Sequence, residues 1–260
     1  MSTRGKVEVS MRDHVAVLTL TNAERRNVLD IATATAMQEA VERFGRDPNV
    51  RCVVITGTDG VFAAGADIRE LESASTEENL AYNRRLRASV NAVAALPMPT
   101  IAAINGHAIG GGLELALACL LRVASSEAKL GLPEVKLGII PATGGLARLP
   151  ILIPRTAAAE LALTGDLVTG AEARDLGLVN YAVAPGEVLD RALELAEKIA
   201  RNAPLAARAI VEGLRRDGQL PIADANLRVE DRLAAVLTSS DRREGARAYL
   251  EKREPRFEGL

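Results

Sequence analysis

An α/β fold is predicted by three observations. Apolar runs rich in β-branched residues alternate with segments of helical period, glycine and proline punctuate the junctions, and beyond Pro185 only helical period remains. Residues 14–20 and 51–55 read as strands. Between them, residues 31–43 repeat apolar side chains at three- and four-residue spacing and read as a helix. A second helix is expected over 81–96, stopped by Pro97 and Pro99, because a residue that precedes proline is pushed out of the helical region. Residues 100–104, Thr-Ile-Ala-Ala-Ile, form a buried strand, and residues 113–120 a helix. After Pro185, amphipathic helices are expected over 188–201, 205–216, 222–237 and 242–253, with Pro204, Gly218 and Pro221 between them.

Composition bounds the function classes. The chain has 260 residues, 48% of them hydrophobic and 25% charged, which is ordinary for a globular protein able to bury a sizeable core. A net charge of −2 gives no general attraction to nucleic acid or to a membrane surface. The Arg pairs at 84–85, 215–216 and 242–243 are interleaved with acids and read as solvated helix faces. Cys52 and Cys119 have no metal-type spacing and read as buried small hydrophobes in a reducing compartment. No run reaches the ~18 apolar residues of a membrane span, and Met1 to Val9 lacks the apolar stretch of a signal peptide. A cytoplasmic protein without a metal site is the expectation. His14 and His107 are too separate for a triad; His107 is expected to line the mouth of a pocket or to fill the core.

Two glutamates carry the chemistry. Glu114 ends Gly110-Gly111-Gly112-Leu113-Glu114, where glycines permit close backbone approach before a helix starts; Glu134 follows Pro133 and precedes the turn-rich run Gly138 to Gly145. Taken singly, each motif has an ordinary explanation, as a packing turn or as a charge that compensates a helix dipole. If both loops open on one cavity, they supply free N–H donors and two carboxyls, a set suited to acid–base chemistry beside a carbonyl. With three Phe, three Tyr and no Trp in the chain, such a cavity is expected to be lined by aliphatic side chains.

A third segment, Val61-Phe62-Ala63-Ala64-Gly65-Ala66-Asp67-Ile68-Arg69-Glu70, follows a strand-like run, and Ile104-Asn105-Gly106-His107 leads into the glycine triplet. Together these ordered motifs resemble the crotonase superfamily, the enoyl-CoA hydratase and isomerase group, from about Val15 to Phe257. The resemblance implies a crotonase-like spiral of repeated β-β-α units over 1–185, with the acyl-CoA site. Residues 186–260 would be a helical C-terminal trimerisation and pocket-covering region, giving a homotrimer or homohexamer.

The resemblance also implies roles. The N–H groups of Ala66 and Gly111 would hold a thioester oxygen, and a helix start at Gly111 offers an unpaired donor at the positive end of the helix dipole. Glu114 would activate water, and Glu134 would protonate the α-carbon. Two carboxyls in an apolar pocket titrate as a coupled pair, one protonated and one ionised near neutral pH. Coenzyme A is implied as the carrier of the substrate, with no other cofactor; Arg26, Ala64, Asp67, Ile68, Arg69, Tyr249 and Lys252 fall at positions that meet it in the family. The chain departs from the family pattern at Thr21-Asn22-Ala23-Glu24, at Leu120 and at Ala142. Retention of both glutamates favours hydration of a 2-enoyl-CoA over Δ3,Δ2 isomerisation, and over a non-catalytic acyl-CoA or RNA binder.

Overall fold

The computed structural model describes residues 7–218 and 220–260; residues 1–6, most of the segment inspected for a signal peptide, lie outside them. Two sheets run side by side. The larger takes β1 (Val7–Arg12), β2 (Val15–Leu20), β3 (Cys52–Gly57), β5 (Thr100–Ile104), β7 (Leu121–Ser125) and β10 (Tyr181–Val183), in the order β1-β2-β3-β5-β7-β10. The smaller takes β4 (Val61–Ala63), β6 (His107–Ile109), β8 (Lys129–Gly131) and β9 (Val168–Thr169) in that order.

The chain therefore alternates between sheets as it winds. β3, β5 and β7 stack in parallel in the larger sheet, while β4, β6 and β8 stack in parallel in the smaller one. Each turn contributes one strand to each, and a helix returns the chain. This is the expected β-β-α spiral. Among the described residues only the hairpin β1-β2 and the pair β8-β9 are antiparallel.

Local sequence explains the helices that position the site. α1 (Ile31–Arg46) is capped by Asp30, which accepts the Thr33 N–H at 2.8 Å, an interaction worth about 1 kcal/mol. The helix expected over 81–96 begins earlier, as α3 (Thr76–Ala95), because Ser75 and Glu78 form a capping box. Its buried residues Tyr82, Leu86, Val90 and Val93 face α1 and the core. α4 spans Gly111–Ala118, two residues earlier than the 113–120 expected, and every one of its residues is buried. Short helices α2 (Ile68–Ser73), α5 (Gly145–Leu152), α6 (Arg155–Thr164) and α7 (Gly170–Asp175) complete the spiral.

Beyond it, α8 (Val188–Ala200) lays Val188, Ala192, Leu193, Ala196 and Ala200 against Val15, Val17, Val54, Ile101 and Val123 of the larger sheet. α9 (Pro204–Arg216), α10 (Ile222–Leu237) and α11 (Ser240–Glu251) follow. α10 buries none of its residues. Cys52 and Cys119 are buried thiols as expected, each pushed up to about 12 by desolvation. Two readings are corrected. Arg215 is not on a solvated face, since its guanidinium donates to the Leu96 carbonyl. His107 neither fills the core nor lines the cavity described below: it is exposed on β6, and its Nδ1 accepts the Lys129 N–H at 3.0 Å.

Candidate active site

Two close backbone approaches and one sharp turn build the site. The Gly110 N–H donates to the Gly131 carbonyl at 2.9 Å, which joins the loop of Glu114 to the strand that leads to Glu134. Gly110 takes φ +54°, so the chain turns sharply into α4 in a conformation that side chains resist. At Gly112 a Cβ would stand 2.0 Å from the Ala63 carbonyl, so only glycine lets α4 seat against β4.

Gly111 differs from its neighbours. A methyl there meets only ordinary contacts, 3.5 Å from Gly65 Cα and 3.7 Å from Ala66 N. The space left by its missing side chain therefore borders the Ala66 N–H. Among the described residues neither N–H has an acceptor in the protein. Two backbone donors are thus left unpaired beside one another, and Gly111, as the first residue of α4, carries the positive end of that helix's dipole.

The Ala66 side of this pair is strapped from outside. Leu29 N–H donates to the Gly65 carbonyl at 2.8 Å, and Ala64 N–H to the Arg26 carbonyl at 3.0 Å. Asp67 is buried; its carboxylate caps α2 at the Arg69 N–H and pairs with Arg25, which also reaches Asp30 at 3.5 Å. That carboxylate is taken up inside the protein and is not presented to a ligand. The departure at Thr21 to Glu24 leads into this strap, where the Asn22 carbonyl accepts the N–H groups of Arg25 and Asn27.

Glu114 and Glu134 line one cavity with Gly65, Ala66, Gly110 and Gly111. Its apolar lining is aliphatic as expected, Ile68, Leu86, Ile109, Leu137, Ile139 and Ile140 among it. The carboxyls live in opposite surroundings. Glu114 is buried, and Oε1 accepts the N–H groups of Thr143 at 2.8 Å and Gly145 at 2.7 Å, while Oε2 pairs with the Thr143 hydroxyl. Gly145 is the first residue of α5, so a second helix N-terminus points at this carboxylate. Glu134 sits in a 3₁₀ turn over Pro133–Leu137, and among the described residues its Oε2 has no partner. Burial pushes its carboxyl up to about 7, and the nearby Glu114 adds to the rise.

Sequence reasoning missed Thr143, Gly145 and Arg148. Arg148 donates to the Thr143 carbonyl at 3.2 Å and to Asn91 Oδ1 at 2.7 Å, which ties the loop to α3. A threonine just ahead of Gly144-Gly145 at a helix start was the available signal. Of the residues matched to coenzyme A, Ala64 and Ile68 line the cavity, and Arg69 is exposed beside it. Arg26 is exposed on the strap, while Tyr249 and Lys252 end α11, exposed and away from the cavity lining. Among the described residues no cluster of His, Cys, Asp and Glu could hold a metal ion, and no helix is long and apolar enough to cross a membrane.

Two unpaired backbone donors and a pair of carboxyls thus line one cavity on a spiral of β-β-α turns. Comparison with known proteins agrees: the chain belongs to the enoyl-CoA hydratase/isomerase family, whose model matches residues 10–260. It is 42% identical to the mitochondrial enoyl-CoA hydratase domain-containing protein 2 of Mus musculus, over 90% of this chain and 81% of that one. An enoyl-CoA hydratase of Mycobacterium tuberculosis is 35% identical over 96% of this chain and 95% of its own. The crystal structure of an enoyl-CoA hydratase from Bacillus anthracis superimposes with a TM-score of 0.96 at 36% identity, covering 98% of this chain and all of that one.

Proposed function

We propose that this protein adds water across the 2,3 double bond of a 2-enoyl-CoA thioester to give the 3-hydroxyacyl-CoA, reversibly. The observation that carries the reading is the unequal pair in one cavity: Glu114 filled with donors, Glu134 desolvated and held up to about 7. The thioester oxygen lies between Ala66 N–H and Gly111 N–H, which draws electron density from the conjugated β-carbon. Glu114 takes a proton from water as its oxygen bonds to that carbon. The electron pair released into the α-carbon takes the proton of Glu134, and the proton left on Glu114 returns to Glu134 through solvent before the next turnover, so the cycle closes.

The rim formed by Ala64, Ile68 and Arg69 receives the carrier, with Arg69 as a cation for phosphate. Exposed apolar side chains on α9 and α10, among them Ile210, Leu214, Ile222, Leu227 and Leu233, support assembly into trimers. The rival reading is Δ3,Δ2 isomerisation, which Glu134 alone serves as a one-carboxyl shuttle. A turnover screen decides between them. Loss of the conjugated thioester absorbance on crotonyl-CoA and longer 2-enoyl-CoA esters is expected; absorbance gained from 3-enoyl-CoA with no hydration would replace this reading with the rival.

A further inference from the structure

We propose that Thr143 is a positioning residue for water addition: its hydroxyl fixes the plane of the Glu114 carboxylate so that one lone pair faces the cavity. The inference rests on the reading of Glu114 as the group that activates water.

The terminal torsion of a glutamate is broad and roughly two-fold, so bonds to one oxygen alone leave the carboxylate free to swing. Both backbone donors, Thr143 N–H and Gly145 N–H, fall on Oε1. Among the described residues only the Thr143 hydroxyl holds Oε2. A carboxylate has about four lone-pair sites; three are thus occupied, and the fourth is left for a ligand in the cavity that Glu114 and Thr143 both line. Thr143 is itself buried and placed by others. Arg148 grips its carbonyl and is braced by Asn91 of α3, so the hydroxyl is carried on a loop anchored at a third element. Glu134 receives no bond from Thr143, and the oxyanion N–H groups are on other loops. The hydroxyl therefore acts on one half of the reaction, the carbon–oxygen bond, and not on the α-carbon proton.

That division supplies the test. Thr143→Val keeps volume and branching but removes the donor; Thr143→Ser keeps the donor. Two rates are measured for each: hydration of crotonyl-CoA, and exchange of deuterium from D₂O into the α-carbon of butanoyl-CoA, which needs Glu134 and the oxyanion hole but no water addition. Thr143→Val is expected to lower hydration kcat by about 10- to 100-fold, the loss of one hydrogen bond to a charged group. Its KM and α-carbon exchange should stay within a few-fold of the parent, and Thr143→Ser should restore hydration. Hydration within about threefold of the parent in Thr143→Val overturns the proposal, and so does parallel loss of hydration and exchange without rescue by serine, which means packing alone. A parent that never hydrates crotonyl-CoA overturns the reading of Glu114 as well, so the two failures are told apart by which protein shows them.

Discussion

The two loops that deliver carboxyls to this cavity are built on opposite plans. The Gly110–Glu114 loop leads into a wholly buried helix, and its carboxylate is met by two N–H groups and a hydroxyl. The loop over 133–140 opens with a short 3₁₀ turn and leaves Val135, Leu137, Ile139 and Ile140 exposed, and among the described residues the carboxyl oxygen Oε2 of Glu134 has no partner. The same side chain is placed twice in opposite surroundings, one met by donors and the other desolvated, and desolvation favours the neutral form of Glu134.

The sharpest way to break this contrast is to remove either carboxyl. Glu114→Gln and Glu134→Gln are each expected to cut hydration by about 10²–10⁴-fold, as for loss of a positioned acid or base, while acyl-CoA affinity measured by calorimetry changes little. Near-normal turnover in either variant removes that residue from the chemistry. Next in size, Gly111→Val should lose about 10²–10³-fold on every acyl-CoA, the loss expected for one oxyanion donor. Its first added carbon lies 3.7 Å from Ala66 N with no clash, so circular dichroism should report a folded protein. Should a folded Gly111→Val turn over within a few-fold of the parent, the gap between the two N–H groups is not the oxygen's seat.

A pH profile sharpens the comparison further. A carboxyl raised to about 7 is protonated below that pH, and hydration needs the proton, so kcat/KM should fall about tenfold per unit above pH 7. Because hydration neither takes up nor releases a net proton, the dehydration direction must show the same limb. A profile flat to pH 9 would mean that Glu134 is not the acid. The smallest effect concerns assembly. α10 buries none of its residues in the single chain, and light scattering at micromolar concentration should give a mass that is a multiple of three chains. A monomer would leave that apolar face without an occupant.

How much of this was legible in the sequence differs by element. The long amphipathic helices α8, α9 and α10 lie within a residue of the positions their periodicity predicts, because thirteen to sixteen residues sample several helical turns. Strands β4, β6, β8 and β9 are two or three residues long, too short for a period of two to register, so the second sheet was visible only through the family resemblance. Glu114 and Glu134 were legible because glycine and proline mark their loops. Thr143 and Arg148 were not, since their value lies in contacts with Glu114 and Asn91, far away in sequence, that exist only once the spiral has closed.

The donors proposed to hold the substrate's oxygen are main-chain atoms. No side chain can be deleted to remove them, and none need be retained to keep them. What must persist is a set of tight approaches, Gly112 against Ala63 and Gly65 against Ile109 and Gly111. The apolar mouth at Ile68, Leu137, Ile139 and Ile140 belongs to none of these approaches. Substitution there leaves the approaches intact, so the mouth proposed for the acyl group is adjustable without moving the two N–H groups.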